Sequence, residues 1–411
     1  MVNKVRLFSP ISKLSIFVTR MSQNRVKRQH FICLLFLMTF GVSWIYIIRE
    51  EPKIYSIYDY NRTNNILLEK LHETVLEDKG MGCDYPKLDP FSPELTRFDT
   101  NMPKVVCEGL DWVNCEKSQC YVVKEILNQM KKVSCIYKDI LYISDVESKV
   151  GTGTRVVGNK NYTLTVSDYV KVSCSGKGKE SIGLISSKWY GYKAGLREVV
   201  PQAAPPGRED SLNVLILGFD STSRNGFIRR MPKSYKYLTE ELGSILLKGY
   251  NIVGDATPAA LFPILSGKSE LEHPDTRVDY TKSYLDEESF IFHLLKNDGY
   301  RTAYFEDMPW IGTFQYRFNG FQRQPADHYL RAFLMEETKA GQKWWRGVKG
   351  RHCIGAMPQY LLFLNLTTQF HQLKGKKFSF TFIADITHDE FNLISTSDDD
   401  VVAFLKDFYE S

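Results

Sequence analysis

Acidic and hydroxyl side chains, together with one histidine, follow four short apolar segments in the second half of the chain. The four groups are GFDST at 218–222, GDATP at 254–258, ED at 306–307 and ADITHD at 384–389. Carboxylate oxygens and imidazole nitrogens are suitable ligands for Zn, Mn, Mg or Ca ions. A threonine hydroxyl beside such ions could act as an activated nucleophile, because coordination lowers the pKa of the hydroxyl. On the pattern alone, the commoner role of an aspartate at such a position is to cap the following helix.

These side chains can meet only if the segments before them are neighbouring parallel strands. Short apolar runs predict strands at 213–218, 249–253, 300–305 and 377–385. Apolar spacing predicts helices at 232–247, 289–296, 358–373 and 397–409. Strands that alternate with helices indicate an α/β sheet with helices on both faces. Such sheets bind ligands at the carboxyl ends of their strands, which is where the acidic groups lie.

The region before this sheet has a different character. Residues 83–200 are predicted to form a small β-rich module, with short strands at 104–107, 133–137, 140–143, 163–166 and 169–172. The segment PQAAPPGRED at 201–210 contains three prolines and one glycine, which predicts a linker. The α/β domain is therefore expected to occupy 211–411.

Cysteine spacing indicates an oxidising compartment. The cysteines after the first fifty residues are Cys83, Cys107, Cys115, Cys120, Cys135, Cys174 and Cys353. All but Cys353 precede residue 180, so disulfides are expected to cross-link the β-rich module. No C-x-x-C pair occurs, so a zinc ribbon is not supported. Because the number is odd, at least one thiol is expected outside the intrachain disulfides; Cys353 is the candidate, and the connectivity stays open.

An apolar run near the start of the chain predicts a transmembrane signal anchor. The run from Phe31 to Ile48 carries no charge and is long enough to span a bilayer. Lys27 and Arg28 precede it, so the N-terminus should stay cytoplasmic and the rest of the chain should lie in the secretory lumen or outside. The alternatives are a cleaved signal peptide and a buried core helix. The predicted segments are a cytoplasmic tail at 1–28, the anchor at 29–49 and a stalk at 50–82.

Sequons and charge agree with this placement. Three N-x-[ST] sequons predict glycosylation at Asn61, Asn161 and Asn365. The net charge of +5 arises from a tail, residues 1–28, that contains basic but no acidic residues. The remainder is close to neutral, so the global charge excludes nucleic acid as a partner. An aromatic content of 13% excludes an intrinsically disordered chain.

Three stretches resemble a sulfatase-like family of unknown function within the alkaline-phosphatase superfamily, whose members are single-pass membrane proteins with large ectodomains. They are NVLILGFDSTSRNGFIRRMPKSYKYLTEELGSILLKGYNIVGDATPAALFPILSGKS, GYRTAYFEDMPWIGTFQYRFNGFQRQPADHYLRAF and FIADITHDEFNLISTSDDDVVAFLKDF. The resemblance covers about the last 200 residues, and the cysteine-containing region is also similar to that family. It implies an alkaline-phosphatase/sulfatase-like fold with a two-metal centre that hydrolyses sulfuric or phosphoric esters.

The resemblance also assigns roles to individual residues. Asp220 matches a metal-binding aspartate, and Thr257 matches the nucleophile, which also contacts the metal. Asp385 and His388 lie where the superfamily places an aspartate and a histidine for the other ion, although their D-x-x-H spacing is one residue shorter than in related phosphodiesterases. The implied cofactor is a divalent metal, Zn or Mn/Ca.

Two departures weaken the implied site. The asparagine that binds a phosphate oxygen in related enzymes is replaced by alanines, so Arg224 or Lys268 is the candidate anion-binding residue. The family's remaining ligands come from a later strand that ends in Asp-His-Gly, and this chain ends at Ser411 before such a strand. The expected site is therefore incomplete, and the protein is expected to be inactive as it stands.

Three hypotheses follow from this pattern. The chain is a truncated form of a membrane-anchored hydrolase, a non-catalytic binding ectodomain, or an incomplete gene model. The substrate, a small ester or a glycan, is not identified by the motifs. A sheet that lacks strands should expose an edge, and such an edge invites pairing with another chain.

Overall fold

The computed structural model describes residues 86, 88–179, 186–208, 211–247, 249–273, 284–309, 312–315, 317–341 and 351–410. The chain divides into two units, Met1–Tyr85 and Pro86–Ser411, and the second is compact. The predicted tail, anchor and stalk, and Asn61, lie outside the described residues. Among the residues that are described, no helix is both long and apolar enough to cross a bilayer.

Antiparallel strands dominate the first part of the compact unit. A three-stranded sheet has the order β1-β2-β5 and a four-stranded sheet has the order β4-β3-β6-β7. Their bounds are β1 Val113–Glu116, β2 Gln119–Val122, β3 Met130–Ser144, β4 Glu147–Val157, β5 Tyr162–Thr163, β6 Tyr169–Gly178 and β7 Ser186–Ala194. The short helices α1 (Pro93–Thr96) and α2 (Lys124–Gln129) accompany them. This part of the chain is therefore β-rich, as predicted.

A parallel sheet with the order β10-β9-β13-β8 carries the acidic groups. Its strands are β8 Val214–Phe219, β9 Arg301–Glu306, β10 His328–Tyr329 and β13 Lys377–Ile383. A separate short hairpin pairs β11 (Cys353–Ile354) with β12 (Met357–Pro358). The helices are α3 Arg224–Arg230, α4 Pro232–Lys236, α5 Thr257–Ser266, α6 Ile291–Asn297, α7 Arg331–Gly341, α8 Gln359–His371 and α9 Asp398–Glu410, and a π-helical turn follows α4 at Tyr237–Glu241. The fold is mixed α/β.

Helices cover both faces of the parallel sheet. Alternate side chains of a strand point to opposite faces. On one face, Phe380 of β13 packs with Phe262 of α5 and Phe292 of α6. On the other, Ile383 packs with Leu364 of α8. Strand β13 is buried along its whole length, which explains why its sequence is apolar or small at nearly every position.

The predicted second strand at 249–253 does not form. Tyr250, Ile252 and Val253 are all exposed, and no strand is assigned at 249–253. Apolar β-branched residues favour a strand only when a neighbouring strand and a covering layer bury them, and this segment has neither. The predicted helix at 232–247 is also too long, because helical structure stops at Glu241 before Gly243, whose φ of +60° ends the helix.

The disulfides confirm the predicted cross-linking but correct one assignment. Cys115 pairs with Cys120 and Cys135 pairs with Cys174, both within the β-rich part. Cys353, the candidate for the unpaired thiol, instead forms a disulfide with Cys107. The prediction for Cys353 was wrong because sequence distance was used as a guide, whereas the fold brings residues 246 positions apart together.

Candidate active site

Strand register brings the acidic groups to one edge of the parallel sheet. Ile383 of β13 pairs with Phe219 of β8, and Phe382 pairs with Glu306 of β9. The Asp220 backbone N–H donates to the Ile383 carbonyl at 2.9 Å. The residues that follow β8, β9 and β13 therefore emerge side by side at the carboxyl edge, where ligands of parallel sheets bind.

Thr257 reaches this edge from the start of α5. Its hydroxyl donates to Asp220 Oδ1 at 3.3 Å. Thr257 is half-buried, and Asp220 is only 8% exposed. Pro258 at the beginning of the helix needs no hydrogen-bond acceptor, so it suits the first turn of α5. Two residues 37 positions apart are thus in direct contact.

Burial changes the acidity of Asp220. It raises the pKa of the Asp220 carboxyl above its usual range, because the charged form loses water. The nearby His388, the Ser221 N–H and the Thr257 hydroxyl favour the carboxylate but only partly oppose this effect. A cation beside Asp220 would stabilise its charged form, as a metal ion stabilises a carboxylate ligand. A raised pKa is also typical of a carboxyl group that acts as a general acid.

Strained backbone surrounds the same residues. Of the described non-glycine residues, five have positive φ, and three of them are Ser221 (53°), Ala256 (83°) and Met308 (51°). Each directly adjoins an acidic or hydroxyl residue of the cleft: Asp220, Thr257 and Asp307 respectively. Ala256, at ψ 162°, occupies a region that only glycine adopts without strain. Such strain concentrates at functional sites because the surrounding structure must maintain it.

The two residues assigned to the second ion point to different partners. The Asp385 carboxylate is paired with His352 Nδ1 at 2.9 Å. His388 contributes to the cleft beside Asp220 and Thr257, while its Nδ1 is paired with Asp389 at 2.9 Å. The structure therefore brings His388, but not the side chain of Asp385, to the cleft.

Two carboxylates that the motif comparison did not assign lie at the same cleft. Glu306 is buried and accepts hydrogen bonds from the Thr313 N–H at 2.7 Å and from the Tyr304 hydroxyl at 3.0 Å. Asp307 accepts from the backbone N–H groups of Ala384 and Asp385 at 2.6 and 3.0 Å. Asp307 thereby fixes the turn that carries His388. Their position at the end of β9, with Glu306 as its last residue and Asp307 directly after it, was the signal available in the sequence.

The cleft between these side chains is narrow. Its volume is about 20 Å³, and it is lined by Asp220, Thr257, Glu306, Asp307 and His388 among others. One water molecule needs roughly 10–15 Å³ by this measure, so the cleft has room for about one water. In the part of the chain that is described, no group of three or more His, Cys, Asp or Glu is arranged to hold a metal ion.

The two candidate anion-binding residues lie elsewhere. Lys268 follows α5 and pairs with Glu288 at 3.0 Å. It lies beyond the C-terminal end of α5, a helix that begins at Thr257 and is about 15 Å long at ~1.5 Å per residue. Arg224 is exposed at the start of α3 and lines a different groove with Phe227. Neither side chain lines the cleft beside Thr257.

The two described sequons are accessible to different degrees. Asn161 lies in an exposed turn before β5. Asn365 is exposed on α8, but Thr367 of its sequon is buried and donates to the Phe363 carbonyl at 2.8 Å. Glycosylation at both positions stays a prediction. Modification at Asn365 would have to precede folding of α8, since its threonine is enclosed afterwards.

Comparison with known proteins gives one family match. The family described as "Protein of unknown function (DUF229)" matches residues 101–411, which covers both the β-rich part and the α/β part. No curated protein and no solved structure matches this chain.

Proposed function

The chain belongs to the DUF229 family of proteins of unknown function, and we propose that it is a sulfatase- or phosphoesterase-like protein of the alkaline-phosphatase superfamily. In this proposal it is a single-pass membrane protein, with its N-terminus in the cytoplasm and its bulk in the secretory lumen or outside the cell. Its hydrolytic centre is built around Thr257 and Asp220.

The contact between Thr257 and Asp220 carries the proposal. A hydroxyl at the start of a ten-residue helix lies 3.3 Å from a buried carboxylate at a strand end. A divalent ion such as Zn, Mn or Ca would supply Lewis acidity there and lower the pKa of the hydroxyl. Asp220, Thr257 and His388 offer oxygen and nitrogen donors of the right kind. The helix N-terminus also favours an anionic oxygen next to Thr257.

The proposed centre has few protein ligands for a metal ion. The donors fit a divalent ion in kind, but Asp385 is held by His352, and three acidic or histidine ligands are not gathered in the described residues. A divalent ion with so few protein ligands binds weakly. We therefore propose weak cation binding and no turnover by this chain, and derive no reaction step through a metal.

The size of the cleft favours a second candidate function, a non-catalytic binding ectodomain. Ligand cavities in proteins usually measure roughly 300–1,000 Å³. The cleft beside Thr257 measures about 20 Å³, which does not admit an ester of ordinary size. A protein that keeps the fold but has a closed cleft would act through another surface.

Calorimetry and turnover assays test the proposed centre. The full chain is titrated with zinc and manganese, and aryl phosphate and aryl sulfate are offered as substrates. We expect weak cation binding that Asp220→Asn abolishes, because the variant removes a buried ligand charge. We expect no ester hydrolysis above background in the wild type.

Two results would count against the proposal, and they are distinguishable. Hydrolysis that Thr257→Ala removes would disprove inactivity while supporting the site. Cation binding unchanged by Asp220→Asn would disprove the site itself. Asp407→Asn, on α9 and outside the cleft, is the matched control for a lost carboxylate.

An exposed sheet edge suggests a protein partner. Among the strands that the structure describes, β8 is the last in its sheet, and its apolar residues are only half-buried. Leu212 and Val214 at its start are 84% and 40% exposed. An unpaired apolar edge is a template for another strand. We propose that this edge pairs with a second copy of the chain.

Lysine substitution at the edge tests this pairing. We expect Leu212→Lys/Val214→Lys to shift the full chain toward monomer in light scattering coupled to gel filtration, because charge on an edge opposes strand addition. The control Val166→Lys/Val200→Lys changes two exposed valines outside this edge. It should leave the proportion of monomer unaltered. Self-association that persists unchanged in the edge variant would contradict the proposal.

A further inference from the structure

A much larger cavity lies between the β-rich part of the protein and the β11–β12 hairpin, away from the cleft beside Thr257. It measures about 630 Å³, which is within the size range of ligand sites. Its walls include β7, the last strand of the order β4-β3-β6-β7, and the turn between β11 and β12. It shares no lining residue with the Thr257 cleft.

Several contacts hold the walls of this cavity in place. The disulfide between Cys107 and Cys353 joins the loop before β1 to strand β11. The Asp111 carboxylate accepts from the Ala356 N–H at 3.2 Å and from Lys193 Nζ at 2.5 Å. A Cβ atom on Gly355 would lie 2.5 Å from Asp111 Oδ1, so only glycine permits this approach. The cavity is therefore formed before any ligand enters.

Aromatic side chains of β7 line the cavity. Tyr190 and Tyr192 lie on one face of the strand, and Trp189 lies on the other. The Trp189 ring lies over Gly191, where a Cβ would come within 2.3 Å of the ring. Tyr190 is 69% exposed, although an aromatic side chain of this size usually packs. The Tyr192 hydroxyl has no hydrogen-bond partner among the described residues, but it is buried and so does not face a ligand in the cavity.

The charges around the rings restrict the ligand. Lys171 Nζ lies 5.6 Å from the Tyr192 ring centre, and Lys193 Nζ lies 6.0 Å from the Trp189 ring. These ammonium groups oppose a cationic ligand at the rings. Carboxylates, Asp111 among them, line the same cavity and oppose a polyanion. The arrangement fits a neutral ligand with both hydroxyl groups and apolar C–H faces.

We propose that this cavity binds a neutral saccharide, with a C–H face against the exposed ring of Tyr190 and its hydroxyls bonded to the charged side chains that line the cavity. The polar groups orient such a ligand, while the ring covers its apolar face. The proposal does not depend on a hydrolytic function at Thr257. It gives the non-catalytic function above a specific surface and a specific class of ligand.

Saturation-transfer NMR and calorimetry with chitotriose, cellotriose and mannotriose test this site. The full chain is kept in a detergent without a sugar head group, which would compete. It carries Asn365→Gln, because Asn365 lines an adjoining cavity that shares Tyr192, and a glycan attached there could enter. We expect at least one trisaccharide to bind, and choline and a sulfated disaccharide to bind more weakly.

Variants at the aromatic wall locate the binding. Tyr190→Ala should weaken binding roughly fivefold to tenfold, since one aromatic contact is lost. Tyr409→Ala, which changes an equally exposed tyrosine on α9, should have no effect. Absence of binding by all three trisaccharides, or binding that Tyr190→Ala leaves unchanged, would overturn the proposal.

Discussion

Replacing Asp145 by alanine is expected to lower the free energy of unfolding by about 3–5 kcal/mol, because it removes one of the two carboxylates beside the buried Arg331 and leaves buried hydrogen-bond donors without their acceptor. Asp145 lies in the β3–β4 turn and is completely buried. Its carboxylate accepts from Tyr142, Gln315 and the Phe321 N–H at 2.9, 2.6 and 2.8 Å. Burial raises its pKa to about 6, and the Arg331 guanidinium opposes that shift. The turn thereby joins the β-rich part to the α/β part.

Chemical denaturation of the full chain measures this effect. Asp145→Asn keeps one acceptor oxygen but loses the charge. Its free energy of unfolding should therefore lie between those of the wild type and Asp145→Ala. Glu147→Ala, two residues away and exposed, should change stability by less than about 0.5 kcal/mol. If the alanine variant were as stable as Glu147→Ala, the turn would not hold the two parts together.

Acidification should destabilise the protein through His371, the last residue of α8. His371 is 7% exposed, and its Nε2 is paired with the Ser379 hydroxyl at 2.8 Å. Burial, with a smaller contribution from Lys377, lowers its pKa to about 4. The unfolded chain binds a proton near pH 6.5, so between pH 6.5 and 4 it holds more protons than the folded chain. The contribution of His371 to the free energy of unfolding is fully present above pH 6.5, and about 3 kcal/mol of it is lost as the pH falls to 4.

Comparison with His371→Gln isolates this contribution. Glutamine can keep the hydrogen bond to Ser379 but does not titrate. Plotted against pH, the free energies of unfolding of the wild type and of His371→Gln should therefore be parallel between pH 7 and 8. The two curves should converge or cross as the pH falls toward 4. Denaturant titrations at half-unit intervals supply the curves. Equal slopes from pH 6.5 to 4 would show that His371 is not the titrating group.

The sequence pattern predicted best the elements in which every residue is buried. Strand β13 was predicted within a few residues, because a strand covered on both faces is largely apolar. The predicted strands at 133–137 and 140–143 are one strand, β3, which continues through an irregularity between Lys138 and Ile140. A charged pair in the middle of a long strand looks like a turn in the sequence, whereas in the fold it occupies a bulge.

The candidate site was predictable where a strand end supplied the residue. Asp220 and Thr257 meet because β8 and α5 deliver them to the same edge. The pairing of Asp385 with His352 was not predictable, since these residues are 33 positions apart and share no motif. Their contact depends on where the β11–β12 hairpin lies, which is a property of tertiary packing.

The most direct test of the account is a crystal of the full chain soaked with zinc and measured for anomalous scattering. We predict a partly occupied ion within about 2.0–2.2 Å of an Asp220 carboxylate oxygen, with the Thr257 hydroxyl beside it. A crystal in which Asp220 and Thr257 lie apart, or in which zinc binds only at other sites, would contradict the central claim that these two residues form the core of the centre.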